Sequence, residues 1–209
     1  MWERDERIRD LKQLYRNLGY VSAFVHWRCW HTPYPLLEEL APREGMIVDL
    51  GCGYGLFANL LALASSKRRV LGMDISKRKL RYADRGVTNA EFQYGDAMTA
   101  QWDRCQGIAL IHLLHHLSSY EDQDRLLHLC YESLDANGSL LVLEVDKRPW
   151  WKYCLAQLVD NVAYPFDRFY FRDRAAFEEL LRSVGFRNIR FVPGHHGVPL
   201  SHMVLVAQK

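Results

Sequence analysis

The chain has 209 residues, of which 49% are hydrophobic and 25% are charged. This composition is that of an ordinary globular protein, and it excludes wholesale disorder, collagen-like repeats and a coiled-coil rod; one domain with additions fits the length better than two. The 27 basic and 25 acidic residues leave a formal charge of +2, which is too even to predict non-specific binding of nucleic acid.

The first part of the chain, residues 1–43, is predicted to be a helical cap. Leu11, Leu14 and Leu18 have the spacing of one helix face, and Pro33 and Pro35 interrupt the pattern before a second, short helix. The charged N-terminus lacks the pattern of a secretory signal, and no apolar run reaches the roughly 20 residues that span a bilayer. Because the five cysteines form no paired motif, we expect a cytoplasmic protein without disulfides or structural zinc.

In residues 44–209, apolar runs alternate with helical patterns, which is typical of an α/β domain built on a parallel sheet. The predicted strands are Met46–Leu50, Arg69–Asp74, Ala90–Tyr94, Ile108–Leu114 and Leu140–Val145, and the predicted helices between them are Leu56–Ser65, Ser76–Arg85 and Glu121–Leu134. An aromatic, proline-interrupted insert over residues 147–171 is predicted to stop the alternation. A helix over residues 173–184 follows the insert.

Two further strands, Phe186–Val192 and Met203–Ala207, complete the predicted sheet. The loop between them is too short for a parallel crossover, so they should pair antiparallel. The sequence therefore predicts an α/β fold with a doubly wound, seven-stranded, mostly parallel sheet, a C-terminal antiparallel hairpin and an N-terminal helical cap.

A glycine-rich turn and two acids point to a nucleoside site. Gly51, Gly53 and Gly55 follow the first strand, where the missing Cβ atoms let the backbone approach a ligand closely. Asp74 ends the second strand, 19 residues after the last of these glycines, and its carboxylate can accept both hydroxyls of a ribose. Asp96 follows the third strand at the same sheet edge, where open α/β sheets bind ligands.

These motifs resemble those of the class I S-adenosylmethionine-dependent methyltransferases. The matching segments are VDLGCGYG at the nucleotide turn, GMDIS at the ribose acid, YGDAM at the adenine contact and LLHHL after the fourth strand. The resemblance covers about residues 45–146 and again residues 173–209. It implies a Rossmann-like methyltransferase fold, a methyltransferase activity, and S-adenosyl-L-methionine as the cofactor.

The same resemblance implies which residues bind the cofactor. They are Asp49, Gly51, Cys52, Gly53, Gly55, Asp74, Ile75, Asp96, Ala97 and Leu113. In this assignment Asp49 and the three glycines flank the methionine part of the cofactor, Asp74 holds the ribose and Ile75 covers the adenine. Asp96 and Ala97 would bind the amine edge of that base.

His115 is the candidate catalytic residue, with its neighbour His116 as a second. Both follow the predicted fourth strand, where members of the resembling family often have a histidine, and a neutral imidazole there could take the proton of a hydroxyl acceptor. The alternative is that both histidines pack and that catalysis is orientation alone. His112 is interpreted as a strand residue. Glu144 is interpreted as a structural acid, with orientation of the acceptor as the alternative, and the sequence offers no convincing set of metal ligands.

Aromatic residues are concentrated outside the predicted nucleotide core: 15 of the 26 lie within residues 1–34 and 149–171. In the resembling family these segments cover the acceptor side, so we expect a small apolar, aromatic or lipid-like acceptor that is methylated on oxygen or carbon. A satellite core under the cap is the alternative. The tryptophans and their basic neighbours could also seat the cap on a membrane, and the oligomeric state is not predicted.

Two other functions are less favoured. Residues 53–58 also satisfy the G-x-G-x-x-A form of a dinucleotide fingerprint, which would suit a NAD(P)-dependent oxidoreductase. The sequence, however, contains no Tyr-x-x-x-Lys pair and leaves too few residues after the fifth strand for a second catalytic domain. A nucleic-acid methyltransferase would usually carry an Asn/Asp-Pro-Pro-aromatic segment after the fourth strand, and none occurs there. We therefore expect a small-molecule partner and no nucleic acid.

Overall fold

The computed structural model describes residues 5–163, 168–193 and 200–209. It contains seven strands: β1 (Gly45–Leu50), β2 (Arg68–Asp74), β3 (Ala90–Tyr94), β4 (Cys105–Ile111), β5 (Leu134–Val145), β6 (Arg187–Pro193) and β7 (His202–Gln208). They form one sheet in the order β3-β2-β1-β4-β5-β7-β6. The strands β1 to β5 pair in parallel, whereas β7 runs antiparallel to both β5 and β6. The predicted fold class is confirmed.

Eight helices accompany the sheet within the described residues. They are α1 (Glu6–Leu14), α2 (Tyr20–His31), α3 (Tyr34–Leu40), α4 (Leu56–Ala64), α5 (Lys77–Leu80), α6 (Tyr120–Ser133), α7 (Trp150–Ala163) and α8 (Arg174–Val184). No helix in this part of the chain combines the length and the apolar character needed to cross a bilayer.

The two faces of the sheet bury separate cores, because successive side chains of a strand point to opposite sides. Ile47 of β1 packs with α1–α4 on one face. Val48, the next residue, packs with α6 and α8 on the other. Between these two cores, the carboxyl ends of β1, β2 and β4 meet at one edge of the sheet, where they border a cavity.

The N-terminal segment forms three helices that pack into the first of these cores. Asn17 (φ 67°) and Gly19 (φ 56°) adopt left-handed conformations and separate α1 from α2. The Tyr15 hydroxyl donates to the Tyr54 carbonyl oxygen over 2.7 Å and accepts from the Asn59 side-chain amide over 2.8 Å. These two bonds tie the end of α1 to the turn that begins α4.

Several predicted boundaries were wrong. Strand β4 begins at Cys105 rather than Ile108, and β5 begins at Leu134 rather than Leu140. Two further differences have identifiable reasons. The strand predicted to reach Leu114 ends at Ile111, because His112 takes a left-handed conformation (φ 55°) and residues 114–116 form a 3-10 turn. The helix predicted over residues 76–85 ends at Leu80, because the following amides bond three residues back and tighten the chain into turns.

The predicted insert also contains a regular element. Helix α7 occupies most of residues 147–163, so the alternation of strand and helix continues after β5. Several of its large apolar side chains lie on the protein surface. Its apolar residues therefore do not mark one buried face, which is why the pattern did not predict a core-facing helix.

Candidate active site

A cavity of about 830 Å³ lies at the carboxyl edge of the sheet. Its floor is the glycine-rich turn after β1 and the ends of β2 and β4, and its walls come from α2 and α7. Nine of the ten predicted cofactor residues line this cavity, and both candidate catalytic histidines do as well. The structure therefore brings the two predicted groups of residues to one place.

Gly55 is the predicted residue that does not line the cavity. It caps the start of α4 with a left-handed backbone (φ 74°), and a Cβ atom there would lie 2.6 Å from the Phe92 ring and 2.9 Å from Ala83. Its position indicates that glycine is needed for close packing of the turn against the sheet.

Asp74 holds two turns together at the centre of the floor. Its Oδ2 atom accepts from the Gly53 amide and its Oδ1 atom from the Ser76 amide, each over 2.7 Å. Both bonds fix the carboxylate at the end of β2, next to the glycine turn. The side chain is nearly buried but borders the cavity, so its remaining lone pairs can accept hydroxyl groups of a ligand.

Asp49, at the end of β1, is a buried acid with an unsatisfied oxygen. Its Oδ2 atom has no hydrogen-bond partner among the described residues. Burial raises the pKa of this carboxyl to about 8, and a backbone bond from Ala58 opposes the shift only in part. A ligand that brings a positive charge or a donor to this oxygen would relieve the cost of its burial.

The far end of the floor is more open. Ile75 is 65% exposed and follows β2 directly. Asp96 accepts from the Met98 amide over 2.9 Å, which fixes the turn that also contains Ala97. These side chains border the same cavity, so a flat ligand group could lie between the apolar and the acidic side.

His115 lies above the floor and is held by Glu144 of β5. Its Nδ1 atom is hydrogen-bonded to one carboxylate oxygen of Glu144, and the other oxygen accepts from the Leu114 amide over 2.8 Å. Burial lowers the pKa of His115, but the charge and hydrogen bond of Glu144 outweigh it, so the net shift is upward. The opposite nitrogen, Nε2, lies 3.8 Å from the Asp160 carboxylate of α7.

Neighbouring residues lock this imidazole in place. Phe171 stacks on the His115 ring with a centroid distance of 5.0 Å. Gln123 of α6 donates to the carbonyl oxygens of Leu114 and Tyr170 over 3.0 and 2.6 Å. Burial lowers the pKa of the adjacent His116 to about 3, so that imidazole is a poor base. Of the two predicted histidines, His115 is therefore the one suited to proton transfer.

Three more histidines lie beside this group, of which His31 and His202 are buried and His112 is half-buried. His31 of α2, His112 and His202 of β7 have ring centroids 5.1 to 5.8 Å apart along the row, and each has a ring nitrogen without a hydrogen-bond partner in the described chain. Burial, and then the charge of Arg28, lowers the pKa of His31 to about 2 and that of His112 well below its usual value. His31 and His112, which border the cavity, are therefore neutral imidazoles.

One set of residues that the sequence did not reveal is a potential metal-ligand group. Ligand atoms of His112, His115 and Glu144 lie within 4.8 Å of one another. Both oxygens of Glu144 already accept hydrogen bonds from the protein, so a metal ion would have to displace them. The arrangement fits a carboxylate that orients an imidazole better than it fits a metal centre.

Sequence reasoning favoured a structural role for Glu144, with orientation of the acceptor as the alternative, and did not single out Asp160. Glu144 could have been found, because β4 and β5 are adjacent parallel strands and their carboxyl ends meet. Asp160 could not, because helix α7 was not predicted.

Comparisons with known proteins agree with this architecture. Residues 24–190 match a family model described as a methyltransferase domain. A demethylmenaquinone methyltransferase of Thermotoga maritima is 29% identical over 141 residues, which is 67% of this chain and 59% of that protein. A trans-aconitate 2-methyltransferase of Variovorax paradoxus is 31% identical over 119 residues, 54% of this chain and 45% of that protein.

Solved structures show the same fold at lower identity. The pyocyanin biosynthetic protein PhzM superimposes with a TM-score of 0.73 at 19% identity, covering 94% of this chain and 60% of that one. Human N-acetylserotonin methyltransferase, crystallised with S-adenosylmethionine, superimposes with a TM-score of 0.68 at 20% identity, covering 98% of this chain and 56% of that one. The chain spans about half the length of the curated relatives that it matches.

Proposed function

The chain belongs to the methyltransferase-domain family, and from this premise we propose that it transfers the methyl group of S-adenosylmethionine to a small apolar, aromatic or lipid-like acceptor, on oxygen or carbon. The observation that carries the proposal is the position of His115, which faces the same cavity as the glycine turn and Asp74 and is held there by a hydrogen bond to Glu144. The cytoplasmic location expected from the sequence stays a prediction.

The residues of the floor fit this cofactor. Asp49 presents a buried oxygen without a partner, which suits the ammonium group of the methionine part. The Gly51 backbone is open to the cavity, and a Cβ atom there would lie 2.8 Å from the Leu113 side chain. Asp74 has lone pairs left for the ribose hydroxyls. When bound, the cofactor supplies an electrophilic methyl group on a positively charged sulfur.

The chain's own contribution to catalysis is orientation and proton removal. With the proton of its Nδ1 atom directed to Glu144, neutral His115 has its Nε2 atom free to accept a proton from an acceptor hydroxyl. Glu144 stabilises the imidazolium that results, because its charge remains buried beside the ring. An acceptor that is methylated on carbon would use the same cavity mainly for orientation and exclusion of water.

The acceptor wall supports an apolar or aromatic substrate. Phe24, Trp27, Val145 and Val159 border the cavity, and the imidazoles beside them are uncharged. One relative is named for demethylmenaquinone, an acceptor of this chemical kind. A second relative is named for trans-aconitate, a polar acceptor. A panel of acceptors of both kinds therefore tests the acceptor class.

Calorimetry with S-adenosylhomocysteine, the demethylated product, tests the proposal directly. We expect binding of this ligand and none of NADH or NADPH at the same concentration. Binding of NADH without binding of S-adenosylhomocysteine would reject the methyltransferase and favour the oxidoreductase. Incubation with radiolabelled S-adenosylmethionine and a panel of hydroxyaromatic compounds, quinols and RNA then identifies the acceptor class, and label transfer to RNA alone would reject the small-molecule assignment.

A further inference from the structure

Large apolar side chains are exposed on two helices that border the cavity. On α2 they are Tyr20, Trp27 and Trp30, and on α7 they are Trp150, Trp151, Leu155, Leu158 and Val162. These eight residues, named here the aromatic rim, are two thirds of the 12 large hydrophobic residues that are exposed in the described chain. Contiguous apolar surface of this kind marks an interaction site rather than ordinary surface.

The rim follows helical periodicity on each helix. Trp151, Leu155, Leu158 and Val162 are spaced by four, three and four residues along α7, so they share one face. Their exposed fractions are 53%, 37%, 59% and 75%. The rim is therefore a continuous apolar face of α7 and not a set of scattered residues.

The rim is continuous with the acceptor side of the cavity. Trp27 belongs to the rim and also lines the cavity, together with Arg28 on the next position of α2. On α7, Ala156 and Val159 line the cavity from the face beside the exposed one. The rim and the cavity thus share Trp27 on α2 and occupy adjacent faces of α7.

Basic residues outnumber acidic ones on α2 and over residues 146–163. Helix α2 contains no acidic residue, and the single acid of α7, Asp160, is turned towards His115 with a side chain only 19% exposed. Arg148 is exposed just before α7, and the Lys152 ammonium group lies 5.5 Å from the centre of the Trp151 ring. Apolar aromatic residues with cations at their edge complement an anionic lipid surface.

We propose that the aromatic rim docks on anionic lipid bilayers and that the acceptor enters the cavity from the lipid phase. This inference rests on the proposed function for the acceptor, but the docking itself does not depend on catalysis. Tryptophan and tyrosine favour the boundary between lipid headgroups and acyl chains, because their rings are apolar and carry one polar group. The positive edge explains a preference for anionic over neutral lipid.

Flotation with vesicles tests the docking. The full chain is mixed with vesicles of phosphatidylcholine alone, or of phosphatidylcholine with phosphatidylglycerol, and the bound fraction is measured. We expect binding to the anionic vesicles that weakens as salt is added. The double variant Leu158→Glu with Val162→Glu should bind at least about tenfold more weakly, since two apolar contacts are lost and two repelled charges are added. Leu63→Glu, on α4 and 43% exposed, is the matched control and should bind like the parent.

Three results would overturn the inference. The first is a parent protein that floats with neither vesicle, and the second is a rim variant that floats as well as the parent. The third is a dimer, seen by light scattering without lipid, that the rim variant dissociates; this result would make the rim a subunit interface. Trp150→Ser with Trp151→Ser provides a second rim variant if the first does not fold. Calorimetry with S-adenosylhomocysteine on the same samples separates the two proposals: retained cofactor binding without vesicle binding rejects the docking alone, and lost cofactor binding in the parent rejects the methyltransferase.

Discussion

At the scale of single residues, the proposed proton removal depends on how the protein sets the basicity of one imidazole. His115 is buried, which favours its neutral form, and is bonded to Glu144, which favours its charged form. The second effect wins, so His115 is a stronger base than a free histidine. It must nevertheless be deprotonated before it can accept a proton, and catalysis with its help should increase as the pH rises through its pKa.

We predict that Glu144→Gln lowers the pKa of His115 from above its usual value of about 6.5 to below it, because desolvation then acts without the opposing charge. NMR titration of the imidazole measures this change without knowledge of the acceptor. Asp146→Asn, which removes an acid just after β5, is the control. In turnover assays the rising limb of the rate should move to lower pH in the Glu144 variant. An unchanged titration would mean that Glu144 does not tune His115.

A second residue-scale prediction concerns Asp74. Asp74→Asn should weaken binding of S-adenosylhomocysteine by about 2 to 4 kcal/mol, because charge-assisted bonds to the ribose are lost. Isothermal calorimetry measures the affinity. Asp103→Asn, at an exposed acid, should leave it unchanged. If the Asp74 variant binds as tightly as the parent, this acid serves only to join the two turns through Gly53 and Ser76.

At the scale of elements, the N-terminal helices are fixed to the sheet by polar contacts as well as by packing. Ile8 and Leu11 of α1 are fully buried in the same core as α4. Glu38 of α3 forms an ion pair with Arg68 at the start of β2 over 2.7 Å, and both side chains are buried. Helices α1 and α3 are thus part of the core, and removing them should affect stability as well as acceptor binding.

We predict that Tyr15→Phe reduces the free energy of unfolding by about 1 to 3 kcal/mol, because the buried Tyr54 carbonyl loses its donor while the ring is kept. Urea denaturation measures the loss. Tyr94→Phe, at an exposed tyrosine, is the control and should cost far less. Equal stability of the parent and the Tyr15 variant would show that α1 is attached by apolar packing alone.

The elements differ in how far the sequence determined them. The strands β1 to β3 were predicted to within about two residues because apolar runs are bounded by glycines and acids. The end of β4 was missed because the left-handed conformation of His112 follows from its place beside β5, and no local signal marks it. Helix α7 was missed because its apolar face is exposed.

The same limits apply to the site. Asp49, Asp74 and Asp96 could be predicted because each lies at or just after the end of a strand, and these strand ends meet at one edge. The histidine row could not be, because His31 and His202 come from opposite ends of the chain and meet only when β7 enters the sheet. Periodicity describes neighbours in sequence, whereas such contacts depend on the topology of the whole sheet.

At the scale of the whole molecule, the buried neutral histidines make the fold sensitive to acid. Burial lowers the pKa of His202 to about 3. Between about pH 6.5 and pH 3 the unfolded chain therefore binds a proton that the folded chain does not, and stability falls as the pH falls. Each such histidine contributes a slope of about 1.4 kcal/mol per pH unit. The raised pKa of Asp49 acts in the opposite sense, so a single variant is needed to isolate one contribution.

We predict that His202→Leu makes the acid side of the stability curve shallower by about 1.4 kcal/mol per pH unit, because the variant has no imidazole to protonate there. Urea denaturation at several pH values between about 4 and 7 measures this difference, because the usual histidine pKa of about 6.5 lies within that range. His128→Leu, at an exposed position, is the control. Parallel curves for parent and variant would show that His202 is protonated in the folded protein.

The position of β7 between β5 and β6 sets an order of opening in the sheet. Among the described strands, β6 pairs with β7 alone. A fluctuation that separates β7 from β5 should therefore release both strands together, whereas β6 can separate by itself. Amide protons of β6 should therefore exchange with deuterium at least as fast as the amides of β7 that bond to β5. His202 begins β7, and its ring packs against those of His31 and His112, which border the cavity. Each such opening therefore also removes the imidazole that supports these two wall residues from behind.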